Sequence, residues 1–282
     1  MKLKKELRRR KRISAIILYS LAFLWMIPLV WSVATSLKTD SEITNNVLGL
    51  IPRDITFHRY EKLLIENSSE YPLLTWFLNS LFVAAIYTFL YLFIASLAAY
   101  AFSILKFKGR DKIFWFILAT TMIPGVINLV PMITMMVDFG WMGSFLALII
   151  PGLGGVFGLF IIRQFFLQIP NELIESAQLD GLNHFGIYLK IVLPLSTSAF
   201  MVSGLFVFLG NWNDYLWPLL VMSGSGTSKF TLPVGLSVLQ GSYNYDYGLT
   251  MAAAIISIVP VIIVYIFTQE KIIEGIARTG IK

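Results

Sequence analysis

Six stretches of this chain are apolar for about twenty residues or more, a length that suits a lipid bilayer better than the interior of a soluble globule. They cover residues 13–37, 76–105, 113–137, 144–166, 195–222 and 249–267. At 1.5 Å per residue, about twenty helical residues cross a hydrocarbon core roughly 30 Å thick. Lipid offers the backbone no hydrogen-bond partner, so each stretch must satisfy itself as a helix or within a closed barrel. A barrel would show alternating segments of about ten residues, and none appear. Charged residues make up only 13% of the chain and the mean hydropathy is +0.75, too few charges to solvate a globule of 282 residues. The expected fold is an all-α membrane protein with six transmembrane helices.

The formal charge of +6 raises the question of nucleic acid, which the placement of the cations answers. With the amino terminus inside, the inner segments hold eight Lys or Arg in residues 1–12, then Lys106, Lys108, Arg110 and Lys112, then Arg163 and Lys190, then Lys271, Arg278 and Lys282. The outer segments hold only Lys38, Arg53, Arg59, Lys62 and Lys229. That asymmetry follows the positive-inside rule and puts both termini in the cytoplasm, with no nucleic-acid partner. The basic head 1–12 reads as a lipid-facing collar, and the run after it is about twice a signal-peptide core, so an uncleaved anchor is expected. Cysteine is absent, which excludes disulfides, thiolate metal sites and cysteine nucleophiles.

The expected organisation is head 1–12, first span 13–37, outer loop 38–75, a membrane region 76–268 and a cytoplasmic tail 269–282. The first outer loop holds Pro52 and Pro72 and reads as a short loop-and-helix cap. The second, 223–248, is rich in Gly, Ser and Tyr and reads as a flexible loop, with Tyr243, Tyr245 and Tyr247 as contact residues or merely solvated. Within the spans, Gly154 and Gly158 form a small-xxx-small pair for close helix packing, and Pro124, Pro131, Pro218 and Pro260 can kink their helices.

The membrane interior is almost free of charge. Asp214, in Asn211-Trp-Asn-Asp-Tyr-Leu-Trp-Pro218, is the one carboxylate within a run, with Asn79 and Asn128 as further polar groups. Proton and ion-coupled carriers use ionisable groups at membrane depth, so a self-sufficient secondary carrier or channel is disfavoured but stays open. ATP hydrolysis within the chain needs a Gly-rich loop ending in Gly-Lys, and no Gly-Lys pair occurs; Gly224-Ser-Gly-Thr-Ser-Lys229 lacks its context. His58 and His184 fall on opposite sides, so no metal site or triad is expected and an intramembrane enzyme has no nucleophile and base. Uphill transport would need energy from another chain.

Residues 168–194 break the pattern. Pro170 suits a first helical turn, Glu172 and Glu175 favour its positive end, and Gly181 supplies a stop. Leu173, Ile174 and Ala177 share one face, which the spans need not cover, and Asn183 can cap a second helix. Amphipathicity alone leaves open an interfacial helix on lipid or a helix docked on a partner.

The spacing Glu175-Ser-Ala177, three residues, Gly181, nine residues, Ile191-Val-Leu-Pro194 resembles the EAA motif of ATP-binding-cassette importer permeases, with Ser176 for the usual Ala. Further stretches resemble the carbohydrate branch of that family, the maltose-permease G-like subunits. They are Thr56-Phe-His-Arg-Tyr60, Phe77-Leu-Asn-Ser80, Ala99-Tyr-Ala-Phe102, Phe107-Lys-Gly-Arg110, Met122-Ile-Pro124, Trp212 to Pro218 and the tail Gly280-Ile-Lys282. The resemblance implies a type I importer transmembrane domain in a bacterial cytoplasmic membrane and a non-catalytic role. It implies a heterodimer with a second permease, two ATPase subunits that hold ATP and Mg, and an extracytoplasmic sugar-binding protein facing loop 223–248. Glu175, Ser176, Ala177, Asp180, Gly181, Ile191, Leu193 and Pro194 would form the ATPase-coupling loop. Asn128, Asn211, Trp212, Asn213 and Asp214 would line the pathway of a sugar, an oligosaccharide for preference, or of another solute class in the same family. Helix packing serves equally well for those five.

Overall fold

The computed structural model describes residues 2–46, 48–66, 71–240 and 246–279. No strand occurs among the described residues. The chain opens with α1 (Lys2–Leu37), followed by α2 (Asp40–Asn45) and α3 (His58–Glu61). Then come α4 (Leu73–Ser103), α5 (Arg110–Thr120), α6 (Leu129–Asp138), α7 (Phe145–Ile149) and α8 (Val156–Phe166). Three short helices, α9 (Asn171–Leu179), α10 (His184–Ile187) and α11 (Leu193–Leu195), precede α12 (Thr197–Trp212). The chain continues through α13 (Leu216–Met222), α14 (Leu232–Gln240) and α15 (Tyr247–Thr279).

Residues 9–37, 73–103 and 247–272 lie in helices long and apolar enough to cross a membrane unaided. Three further crossings are bent pairs: α5 with 125–138 at 83°, 145–154 with α8 at 46°, and 184–195 with α12 at 78°. Counting each pair as one span gives six. Proline explains the first of these breaks and a further one between α12 and α13, because its ring displaces the carbonyl four residues earlier. Pro124 faces Thr120, where α5 ends; Pro218 faces Asp214, in the gap between α12 and α13. The apolar run 195–222 is therefore two helices, and its bent partner 184–195 begins in the loop before it. Pro194 follows a π-helical turn, Tyr188–Val192, while α15 passes Pro260 without interruption.

The chain forms two compact units, residues 1–73 with 236–258 and residues 74–235 with 259–282. In the first, Lys38 is fully buried, its Nζ donating to the carbonyls of Asn46 (2.9 Å) and Gly49 (2.6 Å). The Glu42 carboxylate accepts from the backbone of Arg53 at 3.0 Å. Arg59 bonds Asp40 and the Lys38 carbonyl and reaches Asp246 at 3.3 Å, while Asp246 accepts from Leu249 N at 2.8 Å and so heads α15. The unit's charges thus close turns instead of merely solvating a loop.

In the second unit α4 is apolar all round, so hydrophobicity does not select its inner face, much of which is made of small residues. Ser80, Ala84, Ala95, Ala99 and Ser103 are buried at spacings that are multiples of four or close to it, whereas Phe82, Phe89 and Phe93 point outward. These small residues, beside the buried rings of Trp76, Tyr91 and Tyr100, let neighbouring helices pack closely, while lipid tails solvate the outward phenyl groups. One buried cluster joins Tyr91, Ala99 and Tyr100 of α4 to Phe114, Ile162, Phe166 and Val192. Another joins Val83 to Met136, Leu148 and Met222.

The expectation of a flexible loop over 223–248 fails for its first half. Trp76 Nε1 donates to the Thr227 carbonyl at 2.7 Å, Asn79 Nδ2 to those of Ser228 and Phe230 at 2.9 Å, and Lys229 Nζ to that of Gly143 at 3.0 Å. Leu232 N donates to Ser80 Oγ at 2.7 Å as α14 begins. These backbone groups are satisfied by side chains far away in sequence, which composition does not reveal. Tyr243, Tyr245 and the tail 280–282 lie outside the described residues; Tyr247 is more than half exposed at the start of α15.

Candidate functional site

α9 ends in a Schellman closure: Leu182 N donates to the Ala177 carbonyl and Gly181 N to that of Gln178, both at 3.0 Å. Closure needs a left-handed residue, and Gly181 has φ +83° with nothing within 4 Å of where a Cβ would stand. The glycine therefore serves the turn and not a close contact within this chain. Asn183 then caps α10, its side chain accepting from Gly186 N at 2.8 Å.

Ile174 and Ala177 are buried in the α4 cluster, together with Ile187, Tyr188 and Val192. This corrects the expectation of one uncovered face over Leu173, Ile174 and Ala177: the protein covers two of the three. Ala177 therefore lets α9 approach its own core and offers no surface to a partner. All of α9 except Ile174 and Ala177 is exposed, Glu172, Leu173, Glu175, Ser176 and Leu179 included, as is Asp180 at its cap, with Leu179 89% exposed. Of the remaining motif residues, Ile191 and Leu193 pack partly against the same cluster and Pro194 is exposed.

Two polar contacts fasten this segment to α4. Ser96 and Tyr188 place their hydroxyls 2.7 Å apart in a buried setting, and the Tyr100 hydroxyl lies 3.1 Å from His184 Nδ1. The rings of Tyr100 and Tyr188 meet edge to face with centroids 5.6 Å apart. His184 is thus an anchoring residue. A cleft of about 470 Å³ runs between residues 104–107 and α9, with Lys106, Glu175, Gln178 and His184 on its walls.

Arg163, which the charge pattern treats as one more inner cation, is buried and held by three contacts. Its Nε donates to the Phe102 carbonyl and its Nη2 to Asp111, both at 3.0 Å, and the guanidinium lies 3.9 Å from the Phe114 ring centroid. Arg110 Nη1 satisfies the carbonyls of Ser103 and Leu105 at the end of α4. Together they tie the ends of α4, α5 and α8.

A second cavity, about 420 Å³, opens where the broken helices meet, near Leu129, Pro151 and Asp214. Tyr87 donates to the Gly152 carbonyl at 2.9 Å. Tyr91 does the same for Gly155 and accepts from Gly158 N, each at 2.9 Å, standing in for ladder bonds lost at the break. An added Cβ on Gly158 would lie 2.5 Å from Tyr91 and one on Gly152 2.5 Å from Tyr87, whereas Gly154 has open space. Gly152, Gly155 and Gly158 are therefore the close-packing set, and Gly154 is not. Asp214 faces the backbone N–H groups of Trp217 and Tyr215 at the head of α13. The Trp217 indole donates to the Ala147 carbonyl at 2.8 Å.

Of the five expected pathway residues, Asn211 and Asp214 line this cavity. Trp212 does not: it is buried, stacked on Phe208 with Phe77 at its edge. Asn213 is exposed and turns back to the Leu209 carbonyl, and Asn128 is exposed beside Leu129, which does line the wall. The break between α12 and α13 rotates the four consecutive residues into different surroundings. Tyr87, Tyr91 and Trp217 were missed, although Tyr87 and Tyr91 stand one turn apart on the small-residue helix.

A family model described as binding-protein-dependent transport system inner membrane component matches residues 92–272. The chain belongs to this family. As an inner membrane component it resembles the arabinooligosaccharides transport system permease protein AraQ of Halalkalibacterium halodurans, 31% identical over 93% of both chains. It is 31% identical to the lactose transport system permease protein LacG of Rhizobium radiobacter, over 94% of this chain and 96% of that one. Among solved structures, a bacterial ABC transporter involved in import of the acidic polysaccharide alginate has the same fold. The TM-score is 0.79 at 24% identity, over 93% of this component and 96% of that chain.

Proposed function

We propose that this inner membrane component is the permease subunit of an ATP-binding-cassette importer for a sugar, an oligosaccharide for preference, handed over by an extracytoplasmic binding protein. The observation that carries the reading is the build of residues 170–195. A short helix is bolted to α4 by Tyr188 and His184 while its outer side, Glu172 to Asp180, is left to another surface. A helix held in this way transmits force: displacement of α9 moves α4 through packed side chains and not through a slack loop. The ATPase subunits, each with ATP and Mg, would dock on Glu175, Ser176, Asp180 and the Gly181 turn. Both termini would then be cytoplasmic, and a second permease would complete the pathway. Asn211 and Asp214, with Tyr87, Tyr91 and Trp217, give the cavity the aromatic faces and acceptors that bind sugar hydroxyls. The sugar names of AraQ and LacG point the same way.

Co-purification with the ATPase subunit tests the docking. Gly181→Pro, which cannot adopt φ +83°, and Glu175→Arg are each expected to abolish it. Survival of the complex in both variants would sink the reading. In vesicles, uptake is expected only when ATPase, second permease and binding protein are all present, and uptake by this chain alone under an ion gradient would favour a carrier. The solute follows from which glycans raise the melting temperature of the purified binding protein.

A further inference from the structure

Residues 106–112 carry Lys106, Lys108, Arg110, Asp111 and Lys112 in a single turn and the start of α5. Two of these charges are already engaged within the protein. Arg110 holds the Ser103 and Leu105 carbonyls, and Asp111 accepts from Arg163 at 3.0 Å and Arg110 at 3.4 Å. Lys106, Lys108 and Lys112 are exposed and form no ion pair among the described residues. They rim a shallow concavity of about 650 Å³. Directly beyond them α5 turns Ile113 (46% exposed), Trp115 (64%) and Phe116 (73%) outward.

Lysines without counter-ions, followed within two helical turns by exposed tryptophan and phenylalanine, reproduce the sequence of environments met on passing from headgroup to acyl chain. We infer that Lys106, Lys108 and Lys112 bind the headgroup of an anionic phospholipid whose acyl chains lie along Ile113, Trp115 and Phe116. The charge complementarity selects an anion, and the apolar continuation down α5, turned outward on a membrane-spanning pair, favours a lipid over an acidic protein surface. Arg110 and Asp111 hold the turn in shape without neutralising it. Lys106 also borders the cleft beside Glu175, whereas Lys108 and Lys112 do not, and the inference does not depend on the identity of the transported solute.

The chain has no cysteine, so Ile113→Cys carries a single fluorophore at the site. The full chain in vesicles is exposed in turn to headgroup-spin-labelled phosphatidylglycerol and phosphatidylcholine at equal mole fraction. Each lysine near an anionic surface enriches the anion by about fivefold. Phosphatidylglycerol is therefore expected to quench at least about tenfold more effectively, with part of the excess lost in Lys108→Gln and all of it in K106Q/K108Q/K112Q. The basic head 1–12 is unchanged in every sample, so a preference that persists in the triple variant would overturn the assignment. So would equal quenching by both lipids, or loss of the preference on assembly of the complete transporter, which would give the lysines to a protein contact.

Discussion

The hydroxyl of Tyr188 lies 2.7 Å from that of Ser96, 92 residues earlier, and both side chains are buried. Ser96 Oγ also lies within hydrogen-bond distance of the Phe93 carbonyl, at 2.9 Å. The hydrogen bond between Tyr188 and Ser96 is one of the two, with Tyr100 to His184, that link α4 to the segment that presents α9. Polar contacts between helices in lipid contribute about 1 kcal/mol, and Ser96 keeps a partner without Tyr188. Tyr188→Phe is expected to lower stability in detergent by about that amount, and Tyr188→Ala by roughly 3–5 kcal/mol because a cavity is added. Thermal unfolding of the purified chain measures both; equal losses would show that the hydroxyl, and not the ring, does the holding.

The glycines after Pro151 offer a contrast within five positions. Gly158→Ala drives a methyl into the Tyr91 ring, and that overlap in a packed site costs roughly 1–3 kcal/mol. Gly154→Ala meets open space and is expected to leave the melting temperature unchanged or slightly raised. Tyr91→Ala removes the collision at its own cost in cavity and hydrogen bonds, so Gly158→Ala should cost less in the Tyr91→Ala background than in the native chain, a difference that a double-variant cycle reads directly.

Arg163 makes three kinds of contact that lysine cannot reproduce together: a bond to the Phe102 carbonyl, a bond to Asp111 and a flat approach to Phe114. Arg163→Lys is expected to destabilise by about 1–2 kcal/mol and Arg163→Ala by about 3 kcal/mol, since the latter also leaves the Phe102 carbonyl without its donor. Asp111→Asn, at a carboxylate largely open to solvent, should cost well under half as much. Denaturant titration of the three variants orders them.

Asp214 and Asn213 are neighbours with opposite expectations. Asp214→Asn keeps the shape of the cavity wall but weakens an acceptor for sugar hydroxyls. A hydrogen bond to a charged group is worth about 1.5 kcal/mol, so uptake in the reconstituted transporter should fall about tenfold while ATPase co-purification persists. Asn213→Ala, exposed and bonded only to its own helix, should transport normally. The reverse pattern would place the pathway elsewhere.

Much of the architecture was legible because membrane helices leave coarse marks. Apolar runs announce crossings, and prolines announce two of the places where helices break, Thr120 and Asp214 being the carbonyls that Pro124 and Pro218 displace. The stop at Gly181 and the cap at Asn183 are local chemistry and were readable as such. The faces of these elements were not. On a helix that is apolar all round no moment tells Phe82 from Ala84, and on α9 the pattern marks Ile174 and Ala177 as apolar without saying that α4 already covers them.

Sequence by itself determined that the chain lives in lipid, that it carries an EAA-like turn between its last broken crossings, and that it lacks a nucleotide loop. Each depends on residues adjacent in the chain: run length, turn chemistry and motif spacing. Tertiary structure alone decided which polar groups pair. It brought Tyr188 to Ser96, Arg163 to Asp111 and Tyr91 to Gly155, and it separated Asp214 in the cavity wall from Trp212 in the core. Such pairs span many tens of residues, and their partners are chosen by which helices come within reach of one another.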